Sequence, residues 1–203
     1  MGMTRVGAHF WAKPSSAPKS HQSINKEPFS PSGSGSTMHH HRNIVLIGMP
    51  GAGKSTVGVV LAKSLGMQFI DTDILIQERT GRMLQEILDL DGPDAFKRIE
   101  EETILSLHSS RAVIATGGSV VCSEAAMAHL KSRGAVVYLA ISYGEMEARL
   151  KNITTRGILL LPGQSLRGMY DERVPLYEKY ADLTVACSGK DLESVVGNVI
   201  EAL

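Results

Sequence analysis

Residues Gly48-Met49-Pro50-Gly51-Ala52-Gly53-Lys54-Ser55-Thr56 constrain this chain more than any other stretch. They match G-x-x-x-x-G-K-[ST] in full, and the flanking residues give the match a mechanism. Upstream, Asn43-Ile44-Val45-Leu46-Ile47 is a short β-branched run of the kind that forms a buried strand. Downstream, a helix is expected from about Lys54, with Val57, Val60, Leu61 and Leu65 on its apolar stripe and Gly66 closing it. Glycines between the two let the backbone curl until several N–H groups point at one phosphate chain, and the helix N-terminus adds partial positive charge. Gly51, Ala52, Gly53, Lys54, Ser55 and Thr56 are therefore the candidate nucleotide-binding residues. Lys54 supplies a cation for the β- and γ-phosphates, and Ser55 a hydroxyl for Mg2+, a hard ion that prefers oxygen. A guanine-specific site would carry Asn/Thr-Lys-x-Asp late in the chain. None occurs, so ATP is the expected nucleotide.

The same alternation continues. Gln68-Phe69-Ile70, Ala112-Val113-Ile114-Ala115 and Ala135-Val136-Val137-Tyr138-Leu139 read as further short strands. A helix is expected to begin at Pro93 and Asp94, with Phe96, Ile99, Thr103 and Leu107 at helical spacing. Another, over about 189–202, ends the chain. Strands separated by helices imply a parallel sheet covered on both faces.

Composition then narrows the function classes. Lysine plus arginine and aspartate plus glutamate each total 21 in 203 residues, so the basic excess expected of a nucleic-acid-binding domain is missing. No apolar run approaches the ~20 residues of a membrane span. The two cysteines, Cys122 and Cys187, cannot build a disulfide scaffold and are expected to be small buried hydrophobes in a reducing, cytoplasmic setting. Residues 1–41 differ from the rest. They hold four of the eight prolines and one acid, Glu27, with no apolar periodicity, and read as a disordered tag, leader or extension. The acid-poor, serine-rich character of residues 1–37 keeps organelle import as an alternative. The folded domain is expected over 42–203, with an acidic excess of three.

Asp71-Thr72-Asp73 follows the second strand. Carboxylates two apart at a strand's carboxyl end project toward the crevice where α/β sheets bind ligands. One could sit behind Mg2+ and the other could receive a proton from an attacking hydroxyl. The alternative is a helix N-cap with an acidic first turn.

The glycine loop, Phe69-Ile-Asp-Thr-Asp73, Arg79-Thr-Gly-Arg82, Phe96-Lys-Arg-Ile-Glu100, Ala115-Thr-Gly-Gly118 and Arg173-Val-Pro-Leu-Tyr177 resemble, in this order, the motifs of shikimate kinases. The resemblance implies a three-layer α/β/α P-loop NTPase fold with a five-stranded parallel sheet, a substrate-binding segment and a mobile lid. It also implies a monomer that phosphorylates a ring hydroxyl of shikimate with ATP. Carried over by position, Ser55 and Asp71 resemble the magnesium-associated pair. Asp73 resembles the carboxylate that holds the acceptor hydroxyls and serves as base, and Arg173 the clamp on the acceptor carboxylate. Arg149 resembles the residue lying against adenine. Arg156 resembles the lid arginine that reaches the phosphates, within a lid of about 152–165. Gly117 and Gly118 belong to a loop that lets substrate approach the backbone. Lys54, Asp73 and Arg156 are thus the catalytic candidates.

Three positions depart from that pattern. Lys97 stands where an arginine would give a second, forked contact to the acceptor carboxylate. Ser119 replaces the third of three glycines, and Gly157 a proline in the lid. Two departures touch the acceptor side. They leave open a sister kinase for another hydroxy acid, such as gluconate or homoserine, or a catalytically weak nucleotide-binding relative.

Overall fold

A computed structural model describes residues 42–151, 159–160 and 163–203. The tail over 1–41 and most of the expected lid, Arg156 and Gly157 included, lie outside the described residues. The chain runs β1 (Asn43–Ile47), α1 (Lys54–Leu65), β2 (Gln68–Asp71), α2 (Thr72–Thr80), α3 (Leu84–Leu105), β3 (Ala112–Ala115), a 3-10 turn (Val120–Cys122), α4 (Glu124–Arg133), β4 (Gly134–Ala140), α5 (Tyr143–Lys151), α6 (Leu166–Tyr180), β5 (Leu183–Ala186) and α7 (Leu192–Ala202).

The strands form one sheet in the order β2-β3-β1-β4-β5, and every pairing is parallel. β1 and β3 are buried along their whole length, which requires cover on both faces. α1 packs on α7 and β3, while α4 packs on α3 and β4 and α6 on β4. The expected α/β/α layering is present. Gly66 ends α1 in the left-handed region (φ 62°), and Met67 N–H donates to the Ala62 carbonyl at 2.9 Å, closing the helix as its sequence implies.

Because all strands are parallel, their carboxyl ends share one edge of the sheet. The loops after β1, β3 and β5 and the start of α2 therefore meet there, where the strand order reverses around β1.

The structure differs from expectation in several places. Helix α3 begins nine residues before Pro93, at Leu84; Gly92 (φ 83°, ψ 173°) breaks it, and Pro93 starts the second half. The first half has an apolar stripe of its own, Leu84, Ile87 and Leu88, packed with Ile76 and Phe96, although Leu90 on its other side is 75% exposed. β5 is a short edge strand whose residues are mostly exposed or half-buried, so it lacks an apolar signature. Helix α7 starts at Leu192, where the Asp191 side chain accepts from Ser194 N–H at 2.8 Å. Cys187 is buried as expected, whereas Cys122 is exposed at the end of the 3-10 turn.

β1 and β4 approach closely at Gly134. A methyl group there would lie 2.5 Å from the Asn43 carbonyl oxygen. Asn43 cannot retreat easily: its side chain donates to Ser109 O and accepts from Ala112 N–H, each at 3.0 Å. Gly134→Ala is expected to destabilise the protein by about 1–3 kcal/mol. Gly197→Ala, where a methyl meets nothing within 4 Å in α7, should be neutral or stabilising by up to about 1 kcal/mol. Urea unfolding of both variants checks this, and an unchanged midpoint for Gly134→Ala would contradict the β1–β4 packing.

Candidate functional site

The loop between β1 and α1 is shaped by its glycines. Gly48 (φ 149°) passes so close to β4 that a Cβ would lie 2.6 Å from the Leu139 carbonyl oxygen. Gly51 and Gly53 hold positive φ of 80° and 90°. Gly53 is the N-cap of α1, and no side chain caps this helix, so its first-turn amides face the loop's concavity. Lys54 is buried and donates to the carbonyls of Gly48 (2.7 Å) and Met49 (3.0 Å). Its ammonium therefore lies across the loop that the amides line. Ser55 and Thr56 follow in the first turn.

Beside this loop is a cleft of about 200 Å3, lined by Ala52, Gly53, Thr56, Arg149, Lys190 and Asp191 among others. Arg149, in the last turn of α5, donates to the Gly51 carbonyl at 2.9 Å. The side chain expected against adenine thus forms a wall of the cleft next to the phosphate loop.

On the other side, Pro50 of the phosphate loop shares a small cavity with Asp73, Phe96, Glu100, Gly117, Gly118 and Arg173. Asp71 ends β2 and caps α2, its Oδ1 accepting from Asp73 N–H at 3.0 Å. The capping alternative is therefore realised for Asp71, while Asp73 stands in the first turn and faces the cavity. Between them the buried Thr72 hydroxyl accepts from Gly117 N–H at 3.1 Å, tying α2 to the loop after β3. Arg173, on α6, is buried; Nη1 donates to Gly118 O (3.3 Å) and Nη2 to Leu159 O (2.7 Å). The Tyr177 hydroxyl donates to the same Gly118 carbonyl at 2.6 Å. Tyr177 is fully buried, and burial pushes its phenol well above the usual range.

The glycines at 117 and 118 serve contacts within the protein. A Cβ on Gly117 would collide with Glu100 Oε1 and lie 3.0 Å from Asp73 Oδ1; one on Gly118 would lie 2.8 Å from Pro50 Cδ. Lys97 lines a separate cavity with Arg98, Glu101, Cys122 and Ser123, divided from the first by Glu100 and Ser119. The structure therefore brings Asp73, Gly117, Gly118 and Arg173 together and sets Lys97 on the far side of a wall.

Glu100 was not singled out by sequence reasoning. It is 4% exposed, and burial raises its carboxyl to about 7, with nearby Asp73 acting in the same direction. The bond from Ser119 and the charges of Arg173 and Lys54 oppose that rise. The signal available in sequence was an acid one turn after Phe96 on a buried helical stripe. Tyr177, which closes the Arg173 motif, adds a positioning contact through its hydroxyl.

A phosphate-binding loop, an open cleft on one flank and an acid-and-arginine cavity on the other define a P-loop kinase of small molecules. The comparisons narrow the class. The family model "Shikimate kinase" matches residues 50–203. A shikimate kinase of Vibrio cholerae is 37% identical over 169 residues, covering 82% of this chain and 97% of that protein. One from Legionella pneumophila is 39% identical over 166 residues, 80% of this chain and 94% of that protein. Among solved structures, shikimate kinase from Acinetobacter baumannii in complex with shikimate superposes with a TM-score of 0.73 at 32% identity, covering 79% of this chain and 91% of that one. The Aquifex aeolicus enzyme gives 0.68 at 34% identity, covering 79% and 95%. This chain belongs to the shikimate kinase family.

Gly117→Ala is expected to push Glu100 and Asp73 aside. It should lower kcat/KM for the acceptor by about 100-fold and leave ATP affinity within a factor of about two. Steady-state kinetics and nucleotide calorimetry on the variant check this; equal losses on both substrates would contradict the placement.

Proposed function

We propose that the protein transfers the γ-phosphoryl group of ATP to a hydroxyl of shikimate. One observation carries this reading: Pro50 of the phosphate loop lines the same small cavity as Asp73 and Arg173. An acceptor held there has its hydroxyl beside an acid and beside the loop that would grip the triphosphate. Phosphoryl transfer demands in-line placement and neutralised charge more than covalent help from protein.

In this reading the amides of Gly51 to Thr56 hold the phosphates, and Arg149 forms one face of the adenine cleft. Lys54 leaves the carbonyls of Gly48 and Met49 to meet the β/γ-phosphates. Asp73 orients the attacking hydroxyl and accepts its proton. Arg173 exchanges the Leu159 carbonyl for the acceptor's carboxylate, a planar fork meeting a planar anion. Gly118 and Tyr177 keep that guanidinium aimed. Lys97, across the Glu100–Ser119 wall, adds positive field but no direct contact. Arg156 is assigned to the transferring phosphoryl, and residues 152–165 to a lid that excludes water.

Magnesium fits the donor set. A hard ion of this kind takes most of its ligands from nucleotide phosphates and water. Ser55 and Asp71 offer the hard oxygens to complete it. When bound, the ion neutralises charge on the β- and γ-phosphate oxygens. A cytoplasmic monomer is the accompanying proposal, and no helix among the described residues is long and apolar enough to cross a membrane.

A coupled ADP-release assay with shikimate, gluconate and homoserine tests the reading. Shikimate-dependent release is expected, with Lys54→Ala abolishing turnover in a folded protein. Arg173→Ala should raise KM for shikimate about 100-fold or more, as loss of a buried charge-assisted contact would, and KM for ATP far less. Equal shifts in both constants would remove Arg173 as the acid clamp. Turnover with gluconate or homoserine alone would favour a sister kinase.

A further inference from the structure

Among the described residues Glu100 is the one acid that is nine-tenths buried or more. Its two oxygens have different surroundings. Oε2 accepts from the Ser119 hydroxyl at 2.7 Å, and Ser119 is itself buried. Oε1 is buried without a hydrogen-bond partner. It sits over Gly117, where the space for a Cβ is shared with Asp73 Oδ1, inside the cavity that Arg173 and Pro50 also line. A buried carboxylate oxygen lacking a donor is rare, and a hydroxyl entering this cavity would supply one. Two carboxylates converging on one small cavity suit an acceptor that presents adjacent hydroxyl groups, one to each.

We propose that Ser119 is a positioning residue for the phosphoryl acceptor: its hydroxyl fixes Glu100 Oε2 so that Oε1 and Asp73 together receive neighbouring acceptor hydroxyls. The inference rests on the kinase reading above and adds to it the device that orients the acceptor. Ser119 stands on the loop after β3 and Glu100 on α3, so the bond also fixes the spacing of the wall between the two cavities. Without it, Glu100 can swing toward the cavity lined by Lys97.

A pH dependence follows. The groups facing Glu100 are Asp73 from α2, Lys54 from the phosphate loop, Arg173 from α6 and Ser119 from the loop after β3; on α3 itself, Lys97, Arg98 and Glu101 line the adjoining cavity with Cys122 and Ser123. Burial holds Glu100 at about 7, and the Ser119 bond pulls it down from higher still. The ionised carboxylate is the form that accepts two hydrogen bonds, so acceptor affinity rises as pH increases through about 7. Removing the hydroxyl at 119 takes away a stabiliser of the anion, so this limb moves to higher pH.

The test compares the wild type with Ser119→Ala, Ser119→Thr and Glu100→Gln in the full chain, measuring kcat, KM for shikimate and KM for ATP from pH 6 to 9. Ser119→Ala should raise KM for shikimate about tenfold near pH 7, leave KM for ATP nearly unchanged and shift the acidic limb upward. Ser119→Thr, which keeps the hydroxyl, should restore both. Glu100→Gln should remove the limb, and it carries the test if Ser119→Ala does not fold. An unmoved limb in Ser119→Ala, its persistence in Glu100→Gln, or matched rises in both KM values would overturn the proposal. Absence of shikimate turnover by the wild type would instead sink the kinase reading itself.

Discussion

Parallel pairing of β1 with β3 on one side and β4 on the other is the constraint on which the site depends. It puts the residues after Ile47, Asp71 and Ala115 on one edge, so three separate sequence motifs become neighbours. The pairing survives only if the backbone leaves β1 without touching β4, which is why Gly48 has no room for a side chain beside Leu139. Local glycine chemistry and sheet order are one requirement here. A different strand order would separate the phosphate loop from Asp73 even with every residue retained.

The second demand is electrostatic. Lys54, Glu100 and Arg173 are all buried, and burying a charge is costly unless it is paired or hydrogen-bonded. Lys54 and Arg173 solve this with backbone carbonyls, which can be exchanged for a ligand's anionic oxygens at little rearrangement. Glu100 solves it halfway, through Ser119, and remains protonatable near neutrality. The cavity is thus polarised, with an arginine end suited to a carboxylate and a two-acid end suited to hydroxyls. Buried polar groups of this kind fix geometry more than they add stability.

How much of this could be read from residues alone follows from which forces are local. The phosphate loop and β1 were legible because a glycine pattern and a continuous apolar run are local signals. So was the end of α1 at Gly66. Asp71 and Asp73 were legible as a pair, but dividing capping from facing the cavity took the geometry of the α2 start. β5 was missed because an edge strand with mostly exposed or half-buried residues carries no apolar signature, and α3 was shortened because Gly92-Pro93 reads as a helix start although it only kinks a helix whose first half buries Leu84 and Ile87. Glu100 was overlooked for a different reason. An acid on a helical stripe reads as surface until tertiary packing covers it. The separation of Lys97 from the acceptor cavity likewise depends on which way α3 is turned, a long-range property.

The central claim is that the phosphate loop and Asp73 serve opposite ends of a single phosphoryl transfer. Phosphorus-31 NMR of the protein with ATP, magnesium and shikimate follows the phosphorus directly. The account predicts loss of the γ-phosphate signal with matching growth of a phosphomonoester on the acceptor. Conversion of that signal to inorganic phosphate, or its persistence over many hours with well-folded protein, would contradict it.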